Sequence, residues 1–195
     1  MKRLLITAAL AVLWTASASA AGPTEVIRSA TDKILAGLNA PDMQGPAKKA
    51  ARVQHVRKAM AGHFAWEESA RRCLGRHWKD RTPAEKSEFT QLFSGFLQDK
   101  YAEQIATYYN NLDKINYQGE KIVEGSYAQV RVSMILKNRV DHPVEYRMQL
   151  MGGEWRVYDV VIEGVSLVKN YNDQFNAIIV KSGFDGLLKE LRTKK

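Results

Sequence analysis

Residues 155–188, WRVYDVVIEGVSLVKNYNDQFNAIIVKSGFDGLL, pass from a strand to a helix with almost no linker. Two elements joined so tightly must pack on each other, so this stretch is the seam between a sheet and its helical cover. Trp155, Val157 and Val161 share one parity of the strand, and Tyr158, Val160 and Ile162 share the other. Both faces are largely apolar, with Asp159 and Glu163 among the interruptions, which is the pattern of an interior strand and not of a solvated edge. Past Gly164 the period becomes helical: Val168, Tyr171, Phe175, Ile178 and Ile179 fall on one side, Lys169, Asn172, Asp173 and Lys181 on the other. Gly183 stands where a helix stops, and Asp185 is placed to cap a short second helix carrying Leu187, Leu188 and Leu191.

Upstream of this seam the chain runs helices first, then strands, which describes an α+β domain. Helices are expected over 24–38 and 46–60, then a broken region over 63–78, then a long helix announced by Thr82-Pro83-Ala84-Glu85. That tetrapeptide is a capping box with proline at the first helical position. Phe89, Leu92, Phe93, Phe96 and Leu97, continued by Tyr101, Ile105 and Tyr108, form one wide aromatic stripe. Four strand-like runs follow, over 117–123, 128–137, 144–151 and 155–163. Gly125-Ser126 and Gly152-Gly153 supply tight turns and 138–143 a longer one, so an antiparallel meander is the economical topology. Val130, Val132, Met134 and Leu136 alternate with polar residues, as do Val144, Tyr146, Met148 and Leu150, so each strand has one apolar face for helices to cover.

Residues 1–20 read as an export leader, with Lys2 and Arg3 in front, an apolar run to Trp14 and a small-residue cleavage site at Ala18-Ser19-Ala20. The remaining 21–195 are expected to form a single domain. The 195-residue chain carries a formal charge of +8, two units of which belong to the leader. Export makes nucleic acid an unsuitable partner for this basic chain and leaves phosphate head groups and anionic lipid surfaces as suitable ones. Cys73 is the only cysteine, so no internal disulfide forms and packing must supply the stability. His77 follows Cys73 by one helical turn, but no third group completes a catalytic set, and His55, His63, His77 and His142 show no metal-ligand spacing.

WRVYDVVIEGVSLV followed by YNDQFNAIIVKSGFDGLL resembles the MlaC family, the periplasmic phospholipid-shuttling component of the maintenance-of-lipid-asymmetry system, also called toluene-tolerance auxiliary proteins. Leu74-Gly75-x-x-Trp78 also looks like that family, where it precedes the long helix. The resemblance implies a curved four-stranded antiparallel sheet packed against helices, a nuclear-transport-factor-2-like cone, enclosing an apolar pocket. It further implies a periplasmic location, a glycerophospholipid as cargo with no cofactor and no catalysis, and two partners. These are an inner-membrane ABC transporter complex with its MCE protein and an outer-membrane lipoprotein complex.

Residues expected to line such a pocket are Phe93, Phe96, Leu97, Tyr101, Val132, Met134, Tyr146, Met148, Val160, Ile162, Val168, Tyr171 and Phe175. Two acyl chains cost on the order of 20 kcal/mol to expose to water at about 0.8 kcal/mol per methylene, so a carrier must enclose the tails while the head group stays hydrated. Lys48, Lys49 and Arg52, and separately Arg71, Arg72, Arg76 and Lys79, are the basic groups available for docking. The rival reading is a small isomerase or dehydratase on the same cone-shaped fold, for which Asp159 with Tyr158 or Tyr146 is the available acid-base set. Strand parity sends Asp159 and Tyr158 to opposite faces, which weakens that pair and favours a structural Asp159 near the sheet edge.

Overall fold

A computed structural model describes residues 21–194, so the expected leader lies outside the described residues. Helices α1 (Pro23–Leu38), α2 (Lys49–Ala61), α3 (Trp66–Leu74) and α4 (Pro83–Tyr108) come first. Strands β1 (Leu112–Val123), β2 (Tyr127–Leu136), β3 (Asp141–Met151), β4 (Glu154–Ile162) and β5 (Val165–Ser166) follow, and α5 (Leu167–Thr193) comes last. The result is the expected α+β order with an antiparallel meander, β1-β2-β3-β4-β5. The sheet has five strands where four were expected, because a two-residue strand is too short to leave a period in the sequence. Within the broken region over 63–78, Trp66–Leu74 is helical and Gly75–His77 is a 3₁₀ turn.

The start of α4 is where the capping box places it. The Thr82 hydroxyl accepts from the Glu85 amide at 3.2 Å, and the Glu85 carboxylate accepts from the Thr82 amide at 2.7 Å. The aromatic stripe of α4 packs chiefly on α5. Phe89 and Phe93 stack with centroids 5.6 Å apart, Phe175 meets both edge-on, and Tyr171 meets Phe93 and Phe96 the same way. Phe184, Leu187, Leu188 and Leu191 extend this helical core past Gly183, whose φ of +72° breaks the helix direction inside α5. Gly75 has a φ of +52°, and a Cβ there would stand 2.8 Å from the Asn172 amide nitrogen, which donates to the Cys73 carbonyl at 2.9 Å. That contact locks α3 onto α5.

β4 is an interior strand, as its two apolar faces imply, but its outer neighbours are short. β5 pairs with Val161 and Ile162, while the segment between α2 and α3 covers Val157: the Val157 amide donates to the His63 carbonyl at 2.9 Å and its carbonyl accepts from Ala65 at 2.8 Å. One feature of β4 corrects the parity reading. Arg147 faces Asp159 while the next residue, Met148, faces Val157, so Tyr158 is the extra residue of a β-bulge. The bulge rephases the strand. Val157 joins Val160 and Ile162 on the face toward α1 and α4, and Tyr158 turns with Asp159 to the other face, where it meets Tyr127 edge-on and lies 4.1 Å beneath the Arg72 guanidinium.

Asp159 is 4 % exposed and ties the seam together. Its carboxylate accepts from the Ser166 hydroxyl at 2.7 Å, the Val168 amide at 3.0 Å and Arg147 at 3.2 Å, which anchors the first turn of α5 to β4 and β3. Asp159→Ala leaves the Ser166 hydroxyl and the Val168 amide without this acceptor and Arg147 with Glu145 alone, and the expected loss is about 2–4 kcal/mol of unfolding free energy. Urea unfolding of the purified variant measures it; a change below the error of the midpoint would remove Asp159 from this structural role.

Candidate functional site

Between the sheet on one side and α1, α2 and α4 on the other lies a cavity of about 330 Å³. α1 contributes Ile27, Ala30, Thr31 and Ile34, α2 contributes Ala59 and Met60, and α4 contributes Leu97, Tyr101, Gln104 and Ile105. The sheet supplies Met134 from β2, His142, Val144 and Tyr146 from β3, and Val157, Val160 and Ile162 from β4. Phe64 and Trp66, stacked with centroids 4.7 Å apart, and Leu167 complete the wall. The volume falls at the lower end of the range for small-molecule sites, about 300–1,000 Å³, and the lining is dominated by aliphatic and aromatic carbon.

The physical origin of the space is a division of labour between the two ends of α4. Its first turns bury Phe89 and Phe93 against α5, and its later turns pack Ala102 and Ala106 against α2, so the helix is held at a distance from the sheet. Leu97, Tyr101 and Ile105 then face a gap. Six of the thirteen residues expected to line a pocket do so: Leu97, Tyr101, Met134, Tyr146, Val160 and Ile162. Phe93, Phe96, Val168, Tyr171 and Phe175 belong instead to the helical core, with Phe93, Tyr171 and Phe175 no more than 3 % exposed. Val132 and Met148 are fully covered on the sheet face beside the cavity.

The α1 contribution is the main element that pocket reasoning missed. Its signal was present as the stripe Ile27, Ala30 and Ile34, which needed an apolar partner once the sheet face was known. Phe64 and Trp66 left no such signal, since they lie at an irregular junction held by the hydrogen bonds to β4.

Polar groups in the wall are few and mostly neutral. Burial pushes the Tyr146 hydroxyl up to about 12, and burial followed by the neighbouring Tyr171 pushes Tyr101 higher still, so both remain protonated donors. His63 is lowered by burial first and then by Lys33 and Arg156, which favours its neutral form. His142 contacts the Glu163 carboxylate through Nδ1 at 2.6 Å. Among the described residues no carboxylate lines the cavity. The bulge places Asp159 and Tyr158 together, contrary to the parity reading, but on the face away from the cavity, and three donors already engage the Asp159 oxygens.

Cys73 is fully buried, and its thiol lies 3.6 Å from the Val168 carbonyl. Burial, and secondarily Asp159, pushes that thiol far above its usual range, so no thiolate nucleophile is formed there. His77 pairs with Asn176 at 3.0 Å and not with Cys73. Most of the basic residues available for docking also have intramolecular partners. Lys49 binds Glu103 at 2.8 Å, Arg52 donates to the Met43 and Gly45 carbonyls, Arg71 and Arg72 share Glu68, and Arg76 donates to Asn176.

An α+β domain that encloses an apolar cavity between an antiparallel meander and three helices is a binding scaffold. Residues 28–193 match the family model for MlaC protein, and the chain belongs to the MlaC family. It is 26% identical over 174 residues to the intermembrane phospholipid transport system binding protein MlaC of Haemophilus influenzae, covering 87% of this chain and 80% of that protein. It is 29% identical over 104 residues to toluene tolerance protein ttg2D of Pseudomonas putida, covering 53% of this chain and 47% of that one. The fold superposes with a TM-score of 0.76 on a phospholipid-binding protein from Ralstonia solanacearum, solved in complex with a phospholipid, at 24% identity over 89% of this chain and 97% of that one.

Proposed function

We propose that this protein is a periplasmic phospholipid carrier that holds acyl tails in the cavity between α1, α4 and the sheet, and moves lipid between outer-membrane and inner-membrane complexes. The apolar cavity is the observation that carries this reading, and the lipid-binding names of the relatives support it. The energetic demand is plain: tails worth on the order of 20 kcal/mol of exposure in water must be enclosed for the lipid to leave a membrane. Leu97, Tyr101, Met134, Tyr146, Val160 and Ile162, together with the α1 residues Ile27, Ala30 and Ile34, are the tail-contacting set. Met134 and Met60 give the wall flexible side chains that adapt to tails of different length.

The partners in this reading are an ABC transporter complex with its MCE protein on the inner side and a lipoprotein complex on the outer side. Among the described residues no helix is long and apolar enough to cross a membrane, which agrees with a protein that travels. Native mass spectrometry of protein purified gently from the exporting cell tests the cargo directly. A co-purifying mass equal to a two-tailed phospholipid is expected; a cavity that is empty, or filled by a water-soluble metabolite, refutes the reading.

A further inference from the structure

An open groove of about 570 Å³ runs between the first half of α1 and the β3–β4 turn, and Ala21, Glu25 and Glu154 line it together. Glu120 of β1 reaches the same end of α1. Its carboxylate accepts from the Thr24 amide at 2.8 Å, and a Cβ on Gly22 would stand 3.6 Å from one of its oxygens. Three carboxylates from three elements thus gather around the residues that lead into α1. The helix has no side-chain cap of its own at Gly22, so Glu120 supplies from β1 the negative charge that a helix start favours. The Thr24 hydroxyl beside it is covered and has no hydrogen-bond partner among the described residues.

Cations at this end are fewer. Glu154 meets Arg156 at 2.9 Å, between side chains 70% and 39% exposed, and Glu25 meets Arg28 only at 3.8 Å, so solvent weakens both pairs. His63, the remaining titratable group among the described lining residues, is held toward its neutral form by burial first and then by Lys33 and Arg156. Glu25, Glu120 and Glu154 therefore outnumber their guanidinium partners by one. The place suits a further cation.

We propose that this cation is the chain's own α-ammonium, created when the leader is cut after Ala20 and held at the start of α1 by Glu25, Glu120 and Glu154. The small residues Ala18-Ser19-Ala20 direct the cut to that bond, and Ala21 stands in the groove. Hydrolysis of the Ala20–Ala21 peptide consumes one water and leaves a carboxylate on the departing Ala20 and an amine on Ala21, which is protonated at neutral pH. An ammonium two residues ahead of a helix meets the positive end of the helix dipole and is repelled by it. The three carboxylates reverse that balance. Because Glu120 belongs to β1 and Glu154 to β4, the ion pairs draw α1, whose Ile27, Ala30 and Ile34 wall the cavity, onto the sheet. In the uncut chain Ala21 carries a neutral amide, so this tie forms only once the leader is gone, and it forms whatever the cavity holds.

The exported protein is first weighed by intact mass spectrometry, which is expected to give a chain beginning at Ala21. That protein is then compared with a form beginning at Ser19, in which the ammonium stands two residues further out, each with and without the combined substitutions Glu25→Gln, Glu120→Gln and Glu154→Gln. At neutral pH and low salt the Ala21 form should melt about 2 °C above the Ser19 form. The gap should vanish in the triple variant and in about 1 M salt. Followed through the Ala21 methyl resonance, the ammonium should titrate above the ordinary α-amino range of about 7.7–8.0 in the wild type, and within it in the triple variant. A folded-state pKa raised in this way supplies stability at neutral pH that is lost as pH rises through it, so the gap should also close by about pH 10. An exported chain that begins anywhere but Ala21 overturns the proposal, as do equal melting temperatures for the two forms. A gap that persists in the triple variant marks an effect of chain length alone and overturns it too.

Discussion

Ala30→Trp is expected to abolish lipid loading while leaving the fold intact. Ala30 is half-buried on α1, and its side chain faces the 330 Å³ space opposite the sheet. An indole there occupies volume that acyl tails need, and it does so from a helix whose packing on the neighbouring wall needs no rearrangement. Loading should fall by at least about tenfold, equivalent to about 1.4 kcal/mol of binding free energy. Because the substitution fills empty apolar space, the melting temperature should hold or rise slightly. Ala30→Leu, with a smaller intrusion, should fall between the two. Native mass spectrometry and a thermal melt on the same samples decide the matter; wild-type loading in a folded Ala30→Trp protein would mean the tails lie elsewhere.

Phe93→Ala should show the opposite pattern, a collapse of stability. Phe93 is fully buried where α4 crosses α5, stacked on Phe89 and met edge-on by Tyr171 and Phe175. Removing the ring leaves a void among aromatic neighbours too large to close around it, and large-to-small changes of this kind cost about 3–5 kcal/mol. Against a typical total of about 5–15 kcal/mol, that is a large share of the folding free energy. Denaturant unfolding is the measurement. Phe93→Leu, which keeps most of the volume, should be much milder and should load lipid normally, since Phe93 does not reach the cavity. Loss of loading in a stable Phe93→Leu protein would put this ring back among the tail contacts.

These two substitutions separate residues that look alike in the sequence. Phe93 and Tyr101 are both aromatic members of one helical stripe, eight residues apart, and periodicity assigns them the same face. Their environments differ because α5 encloses Phe93 fully, whereas Tyr101, at the margin of the same core, also faces the cavity. Ala30 shows the converse. It reads as a small residue on an amphipathic helix, and only the distance between α1 and the sheet makes it a cavity residue.

Local signals settled much of the architecture. The capping box at Thr82 set the start of α4, because two reciprocal hydrogen bonds need only residues three apart. Alternation in β2 and β3 and the glycine-bearing turns between strands set the meander, and the WRVYDVVIEG strand with the helix after it set the seam. Each depends on neighbours close in sequence. What the tertiary structure decided are the features that depend on partners far apart in the chain. The bulge at Tyr158 arises from pairing with Arg147 and Met148, and it moves Val157 to the cavity face and joins Tyr158 to Asp159 on the other. The coverage of β4 by His63 and Ala65, the burial of Phe93 by α5, and the gap left between α4 and the sheet are likewise contacts, or the lack of them, between distant segments. Hydrophobic pattern records which side chains avoid water; whether they avoid it by touching one another or by facing an apolar space is a matter of how the elements are held apart.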